Sequence, residues 1–243
     1  MVTTVVNLLL DDLAPSVRER IVRRAEPVHL TFGTILCEAD EPFEHAYFPL
    51  SAFISLVSTV GKHPPLEMGL IGNEGMLGVT LILGVPMAPL RGVVQGEGDA
   101  LRLSAVELHG EMRQSPSLAK TLNGYLYVLM AQLMQTAGCT RFHEIDARLS
   151  RWLLMTHDRA HANHFHLTHQ FLADMLGVQR SAVTIAAGSL QERGLIHYTR
   201  GEITILDRPG LEGTACECYA AVVKDYDQVF GSRRPLPAAQ PGS

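Results

Sequence analysis

The sequence predicts an α+β protein with an N-terminal antiparallel β-roll of the double-stranded β-helix or jelly-roll type, a long dimerisation helix and a C-terminal winged helix-turn-helix. Short apolar runs recur at roughly ten-residue spacing from Val28 to Leu103, as in antiparallel barrels and rolls. A stretch of helical periodicity follows Pro116. Residues 167–206 then combine two short helical segments with two alternating, strand-like segments.

The elements before the long helix follow from proline, leucine and glycine placement. Short helices are expected between Val6 and Ala25, because several leucines precede Pro15, a residue favoured in the first turn of a helix. The roll follows as six apolar runs separated by glycine and proline: VHLTFGTIL, HAYFPL, AFISLVSTV, LEMGLI, RGVVQG and ALRLS. The domain boundaries are β-roll 1–110, long helix 111–140, winged helix-turn-helix 141–224 and disordered tail 225–243.

The long helix carries a stripe that predicts a homodimer. Ser104 can cap a short helix containing Leu108, after which Pro116 begins a helix that runs to about Thr136. Its apolar residues follow a 4-3-4-3 order, the pattern of a two-stranded coiled-coil seam. The same stripe can instead cover the β-roll of its own subunit, and both interpretations can hold for different faces. The predicted dimerisation residues are Leu118, Leu122, Tyr125, Leu129 and Leu133.

The helix-turn-helix prediction rests on capping residues and periodicity. An amphipathic helix over residues 141–159 leads into the motif, whose first helix is capped by Thr168 and ends at Gly177. The second helix runs from about Gln179 to Arg193. After it, two alternating segments joined by Arg200-Gly201 predict a two-stranded wing, and residues 211–230 predict one more helix. The second motif helix buries the stripe Val183, Ala186, Ala187 and Leu190.

Polar side chains lie on the free face at the start of the second motif helix, where a recognition helix meets base edges in the major groove. Arg180 is the leading candidate, because its guanidinium can make two hydrogen bonds to guanine, worth about 1–3 kcal/mol of discrimination. His169 and Arg200 are assigned to phosphates. A helical hairpin that binds nothing is the alternative. The predicted DNA-binding residues are Thr168, His169, Gln179, Arg180, Ser181, Thr184 and Arg200.

Charge and hydropathy restrict the possible partners and locations. The formal net charge of −5 opposes broad attraction to nucleic acid, because non-specific binding depends on basic residues that neutralise phosphates. Strong salt dependence and weak non-specific binding are therefore expected. No stretch approaches the roughly 20 apolar residues of a membrane span, so a cytoplasmic location is expected. Arginines in the C-terminal half offset the acidity: Arg148, Arg151, Arg159, Arg180, Arg193 and Arg200.

Catalytic and metal motifs are not found in the sequence. It contains no serine elbow, HExxH or GxxxxGK, so neither an enzyme nor catalytic residues are predicted. Cys37, Cys139, Cys216 and Cys218 are too few and too scattered for a disulfide framework or a four-cysteine zinc site. On a helix, Cys216 and Cys218 would point about 200° apart. A shared metal would need non-helical backbone or other ligands, and no metal site is predicted.

Histidines suggest an alternative form of control. Seven of the 11 histidines lie in or near the predicted DNA-binding segment. His157 and His161 are four residues apart, which places two imidazoles on one helical face. A metal-responsive or pH-responsive regulator acting through this histidine-rich hinge is therefore a second hypothesis, against the simpler interpretation of a solvated loop.

The order of β-roll, long helix and winged helix-turn-helix resembles the Crp/Fnr superfamily of bacterial transcription regulators, from about Leu8 to Asp207. The most specific segment is LTHQFLADMLGVQRSAVT, while GTILCEADEPFEHAYFPLSAFISL and GLIGNEGMLG resemble the sensor domain in outline. The resemblance implies a homodimer with a cyclic-nucleotide-binding-like β-roll that takes an effector. It also implies recognition of a two-fold symmetric site on double-stranded DNA, and contact with RNA polymerase if the regulator is an activator.

Departures from the family pattern bear on the effector and the operator. Family members that bind cyclic AMP hold the ribose with a Gly-Glu pair, but here Gly78 precedes Val79, which cannot accept a hydrogen bond. The phosphate-binding Arg-Ser pair is replaced by Arg91 and a glycine, so cyclic AMP is not expected, although these three residues remain the candidate effector site. No cysteine precedes Cys37, so an iron–sulfur cluster is not expected.

Two positions of the recognition helix also differ from the cyclic-AMP regulator. Ser181 and Ile185 stand where that regulator has Glu and Arg, so its operator cannot be transferred to this chain. Ile185 can contact a thymine methyl or face inward. The alternative that does not involve DNA is a dimeric ligand-binding signalling protein whose winged helix mediates protein interaction.

Overall fold

The computed structural model describes residues 6–231, and the chain divides into two compact units, Met1–Met134 and Gln135–Ser243. The first unit begins with helices α1 (Leu8–Asp11) and α2 (Pro15–Arg24). The Asn7 side chain caps α1 by accepting from the Leu10 N–H at 3.3 Å, and its amide donates to the carbonyls of Pro49 and Gly75. One asparagine therefore joins the N-terminal helices to the strands that follow.

Two antiparallel sheets form the β-roll, as the sequence predicts. One sheet has the order β1-β7-β3 and the other the order β2-β6-β4-β5. Side chains such as Phe48, Ile54 and Leu103 are at most 1% exposed and form the core of the roll. The strands are β1 (Glu26–Leu30), β2 (Ile35–Cys37), β3 (His45–Pro49), β4 (Phe53–Ser58), β5 (Leu66–Ile71), β6 (Arg91–Gly96) and β7 (Gly98–Ser104).

A short and a long helix follow the roll. Ser104 caps α3 (Ala105–Gln114) by accepting from the Glu107 N–H at 3.3 Å. Glu111 on α3 is buried and forms ion pairs with Arg20 and Arg24 of α2. Helix α4 (Pro116–Phe142) continues past the predicted end at Thr136. Gly138 follows Thr136 but does not end the helix. A glycine inside a helix costs only about 1 kcal/mol relative to alanine.

The predicted dimerisation stripe faces the β-roll of its own subunit. Leu118, Leu122, Tyr125 and Leu129 are at most 6% exposed, and Leu133 is half-buried. Next to this stripe, the side-chain amide of Gln132 accepts from the Leu70 N–H at 3.0 Å and donates to the Leu70 carbonyl at 3.2 Å. This burial favours the interpretation in which the stripe covers the β-roll of its own subunit over the interpretation as a dimer seam. The exposed stripe on α4 is instead Tyr127, Met130 and Met134.

The second unit contains the helix-turn-helix and its wing. The wing has three strands in the order β8-β10-β9, one more than predicted. The additional strand pairs Phe165 with Ile203; it is three residues long and has one apolar side chain, too little for a recognisable pattern. The elements are α5 (Ile145–Ala160), β8 (His164–His166), α6 (His169–Leu176), α7 (Arg180–Glu192), β9 (Ile196–Thr199), β10 (Glu202–Ile205), α8 (Arg208–Thr214) and α9 (Cys218–Phe230).

The C-terminal segment also departs from the sequence prediction. The single helix predicted over residues 211–230 is divided into α8 and α9 by residues 215–217. Helix α9 continues to Phe230, so the predicted tail does not begin at residue 225. The remainder of that tail, residues 232–243, lies outside the described residues. Among the helices of residues 6–231, none has the length and apolar character needed to cross a membrane.

Candidate nucleic-acid interface

The turn between α6 and α7 is built as the sequence predicts. The Thr168 hydroxyl accepts from the Phe171 N–H at 3.1 Å and caps α6. Gly177 ends that helix with φ +63°, a left-handed conformation that glycine adopts without strain. The Val178 N–H then donates to the Ala173 carbonyl at 3.0 Å, which closes the turn. Three residues, Gly177, Val178 and Gln179, separate the end of the first helix from the start of the second.

Helix α7 has one buried and one exposed face. The predicted apolar stripe is at most 2% exposed and holds α7 on the unit. At its N-terminal end, Gln179, Arg180 and Ser181 are exposed, and their side chains have no hydrogen bond or ion pair within residues 6–231. Ile185 is 72% exposed, which decides between its two predicted orientations in favour of solvent. This free face presents a guanidinium, an amide, a hydroxyl and an apolar side chain together.

His169 and Thr184 belong to a contact that positions the recognition helix. The Thr184 hydroxyl donates to the Arg180 carbonyl at 3.1 Å and accepts from His169 Nδ1 at 2.9 Å. The His169 ring stacks on Tyr198 of the wing, with centroids 4.1 Å apart and planes inclined by 17°. These contacts connect α6, α7 and β9. Tyr198 has no sequence signal that identifies it, because it is an ordinary strand aromatic until the stack is seen.

The surroundings of His169 favour a neutral imidazole, whereas a phosphate contact is best made by a charged one. Burial lowers the pKa of His169, and the nearby Arg180 charge lowers it further. Its Nε2 is buried and has no hydrogen-bond partner among the described residues. A neutral, half-buried imidazole adds no positive charge for a phosphate. In this structure His169 positions α7 and the Thr168 hydroxyl caps α6, and their contacts with DNA stay predictions.

The wing places Arg200 at its tip. Arg200 and Gly201 have φ values of +49° and +87°, and together they join β9 to β10. Positive φ at both residues is typical of the type I′ turn in two-residue hairpins. The Gly201 carbonyl accepts from the Leu167 N–H at 2.6 Å, which fixes the turn to the segment before α6. The Arg200 side chain is exposed, as a phosphate contact requires.

Three of the six arginines that were expected to offset the negative net charge are buried in the second unit. Arg148 donates to the Leu176 carbonyl at the end of α6, a favourable position for a cation because carbonyl dipoles accumulate there. Arg151 donates to Thr136 Oγ1 at 2.9 Å, and Arg159 is also buried. The exposed members of the predicted cluster are Arg180, Arg193 and Arg200.

His157 has a structural environment. Its Nε2 donates to Asn163 Oδ1 at 2.6 Å, and its Nδ1 accepts from Arg208 at 2.6 Å. Burial lowers its pKa, so the neutral ring is favoured. Both ring nitrogens have protein partners, which leaves neither free for a metal. His161 lies at the end of α5 with φ +51°, exposed to solvent. The pair therefore does not form the metal site that the second hypothesis, the histidine-rich hinge, would need.

The β-roll contains an apolar cavity of about 260 Å³. Gly78 and Val79 line it, as predicted for an effector site, and Leu126 and Leu129 of α4 form one wall. Thr80 supplies the one polar side chain of the lining. Arg91 is not part of the lining; its Nε donates to Glu38 at 2.7 Å. The cavity suits an apolar molecule, whereas a phosphate would find no cationic partner in its lining.

Comparisons with known proteins agree with this geometry. Residues 147–214 match the model of the Crp-like helix-turn-helix domain. No curated protein sequence matches the chain. A regulator of the Crp/Fnr family from Eubacterium rectale has a similar solved structure, with 21% identity and a TM-score of 0.67 over 85% of this chain and 96% of that chain.

Two other solved structures are similar. FixK2 from Bradyrhizobium japonicum is 15% identical, with a TM-score of 0.68 over 79% of this chain and 98% of that chain. The c-di-GMP-responsive regulator CLP from Xanthomonas campestris is 16% identical, with a TM-score of 0.65 over 79% of this chain and 99% of that chain. The predicted resemblance is confirmed for the domain and the fold: residues 147–214 match a Crp-like helix-turn-helix domain, and the chain has the fold of the Crp/Fnr regulators to which it is similar.

Proposed function

We propose that the protein is a homodimeric, sequence-specific DNA-binding transcription regulator. The observation that carries this proposal is the free N-terminal face of α7, where Gln179, Arg180 and Ser181 are exposed without internal partners. A recognition helix presents side chains of this kind to base edges in the major groove. The function requires no catalytic step, and it implies a cytoplasmic protein.

The contacts divide into base-reading and phosphate-binding groups. Arg180 reads guanine through two hydrogen bonds, and Ile185 contacts a thymine methyl. Gln179 and Ser181 hydrogen-bond bases or the adjacent phosphates. Arg200 at the wing tip binds a phosphate, which contributes affinity and orientation without sequence information. His169 and Thr184 act indirectly by holding α7 against the wing.

The dimer in this proposal uses the exposed stripe of α4. Tyr127, Met130 and Met134 are between 49% and 63% exposed and follow a 3-4 spacing along one helical face. Large apolar side chains in such a row favour burial against a second copy of the same helix. Two recognition helices then read half-sites about one helical turn apart on a two-fold symmetric duplex. RNA polymerase is the further partner if the regulator is an activator.

Effector control, in this proposal, comes from the cavity of the β-roll. Its lining accepts an apolar small molecule, and cyclic AMP is disfavoured because its phosphate would be left without a cation. Helix α4 forms one wall of the cavity and also carries the proposed dimer stripe. A ligand that binds one arrangement of α4 more tightly shifts the dimer toward that arrangement.

Salt-dependent binding to duplex DNA tests the proposal against the protein-interaction alternative. Full-length protein is titrated into a fluorescent pool of random duplexes at several salt concentrations, and anisotropy is recorded. Binding should weaken steeply as salt rises, because each phosphate contact releases counterions. Absence of duplex binding at low salt would refute the proposal. The control is Arg193→Ala, at the opposite end of α7, where the guanidinium donates to Thr214 Oγ1 at 2.7 Å instead of standing free; this change should leave affinity nearly unchanged.

A further inference from the structure

Three of the four cysteines converge with one histidine in the second unit. Cys139 lies on α4, and His143 follows the end of that helix by one residue, with its N–H donating to the Cys139 carbonyl at 3.2 Å. Cys216 lies in the break between α8 and α9, and Cys218 is the first residue of α9. One sulfur or nitrogen from each residue lies within 4.8 Å of the other three. The chain is thus folded back over more than seventy residues to collect these groups.

The spacing of these atoms is close to that of a tetrahedral metal site. Cys139 Sγ is 3.5 Å from Cys216 Sγ, and Cys218 Sγ is 3.4 Å from His143 Nδ1. With Zn–S bonds of about 2.3 Å and a Zn–N bond of about 2.0 Å, the edges of a tetrahedron are about 3.5 Å between sulfur and nitrogen and about 3.8 Å between two sulfurs. Small side-chain rotations are therefore enough to fit an ion between the four groups.

Neighbouring polar groups orient the set as a second layer of contacts. Glu217 Oε1 lies 3.1 Å from His143 Nε2, so the carboxylate holds the ring with Nδ1 toward the sulfurs. Metal-binding histidines are commonly held in this way. The Gln135 amide donates to Cys218 Sγ at 2.9 Å, a hydrogen bond that would become charge-assisted with a metal-bound thiolate as acceptor.

We propose that Cys139, His143, Cys216 and Cys218 bind a Zn²⁺ ion in a closed tetrahedral site. Three thiolates and an imidazole are a ligand set that zinc prefers in structural sites. All three cysteines are buried, and four protein ligands leave no coordination position open for a substrate. Within residues 6–231 this is the one group of three or more potential ligands gathered this closely.

The ion would fasten α9 to the end of α4 within the second unit. Helix α9 also holds α5 through Tyr219, whose hydroxyl donates to Asp158 at 2.9 Å and accepts from Arg208 at 2.7 Å. Because α5 packs on the recognition helix, zinc should stabilise the scaffold of the DNA-binding surface. This inference does not depend on DNA binding, since its measurements use metal and protein alone.

Metal analysis and cobalt substitution test the site on the full-length protein. Protein purified under reducing conditions should retain close to one zinc ion per chain. After metal removal, one Co²⁺ per chain should bind and produce the thiolate charge-transfer absorption and strong visible bands of tetrahedral cobalt, which Zn²⁺ then displaces. Both results on the unaltered protein decide the proposal even if a variant fails to fold.

Variants assign the ligands. Cys216→Ser should abolish the charge-transfer absorption or reduce it strongly, and Glu217→Gln should weaken metal affinity by about tenfold or more. The matched control is Cys37→Ser, which removes the one cysteine outside the cluster and should bind one ion. The proposal is overturned if the unaltered protein shows no cobalt–thiolate absorption, or if Cys37→Ser loses it equally. It is also overturned if mass spectrometry finds a Cys139–Cys216 disulfide in freshly purified protein instead of a bound metal.

Discussion

Two substitutions on α4 separate folding of the β-roll from dimerisation. Leu122 is fully buried in its own subunit, whereas Met134 is 63% exposed on the neighbouring face. Leu122→Ala removes three carbon atoms from a close-packed site and leaves a cavity, which costs about 2–5 kcal/mol. For a unit of this size, the loss lowers the melting temperature by roughly 3–4 °C per kcal/mol. We therefore expect a decrease of roughly 6–20 °C in the melting temperature of the first unit.

Met134→Glu should instead leave the first unit stable and weaken the dimer. Its side chain is mostly in solvent, so the substitution changes the stability of the unit by only about 0.5 kcal/mol. In the proposed dimer this substitution places two like charges at an apolar interface. The dissociation constant of the dimer should therefore rise by at least tenfold. Thermal unfolding and sedimentation equilibrium measure the two effects on the same samples. These two assignments are refuted if Leu122→Ala dissociates the dimer without lowering the melting temperature, and Met134→Glu changes neither the dimer nor the melting temperature.

Three further predictions concern the second unit. Arg200→Ala should weaken binding evenly across DNA sequences and reduce the salt slope by about one; an altered sequence preference in a selection assay would contradict its assignment to phosphate. Burial lowers the pKa of His157 from an ordinary value of 6.5. As pH falls, the unfolded chain therefore takes up a proton at this histidine before the folded chain does. The contribution of His157 to folding stability is fully present above about pH 6.5 and is lost progressively below it. His157→Gln, which keeps a donor and an acceptor beside Asn163 and Arg208, should flatten this part of the stability curve in melts at several pH values. Gly177→Ala forces a side chain into a left-handed turn and should cost about 1–2 kcal/mol; an unchanged melting temperature of the second unit would argue against the turn.

Local features were predictable because their determinants are local. Thr168 caps α6, Gly177 ends it, and Arg200-Gly201 forms the hairpin turn, each through contacts within a few residues. The apolar stripe of α7 likewise follows from spacing alone. The Arg180 face was identified because the opposite side of that helix is apolar, which leaves one side for solvent.

What covers a helical stripe could not be read from its spacing. A 4-3-4-3 order identifies the residues on one face of α4, but a β-sheet and a second helix satisfy that pattern equally. In the structure the sheet lies against this side of α4, where Gln132 hydrogen-bonds to Leu70 of β5. The proposed dimer stripe is therefore on the exposed side of the helix, at Tyr127, Met130 and Met134.

The buried arginines and the cysteine cluster depend on contacts that are distant in sequence. Arg148 is buried because its guanidinium donates to the Leu176 carbonyl at the end of α6. The sequence around residue 148 has no pattern that predicts this burial. Cys139 and His143 are one helical turn apart, a spacing that could have been noticed. Their meeting with Cys216 depends on the break between α8 and α9, where the sequence pattern predicts one continuous helix.

Selection of bound sequences from a random duplex pool is the most direct test of sequence-specific DNA binding by this protein. The unaltered protein, Arg180→Ala and the control Arg193→Ala are compared in parallel without added effector and with candidate apolar ligands. We expect an enriched two-fold symmetric site for the unaltered protein and the control, with discrimination at one base pair per half-site reduced by about 5–150-fold in Arg180→Ala. Full selectivity in Arg180→Ala, or no enriched sequence under any condition, would contradict this expectation.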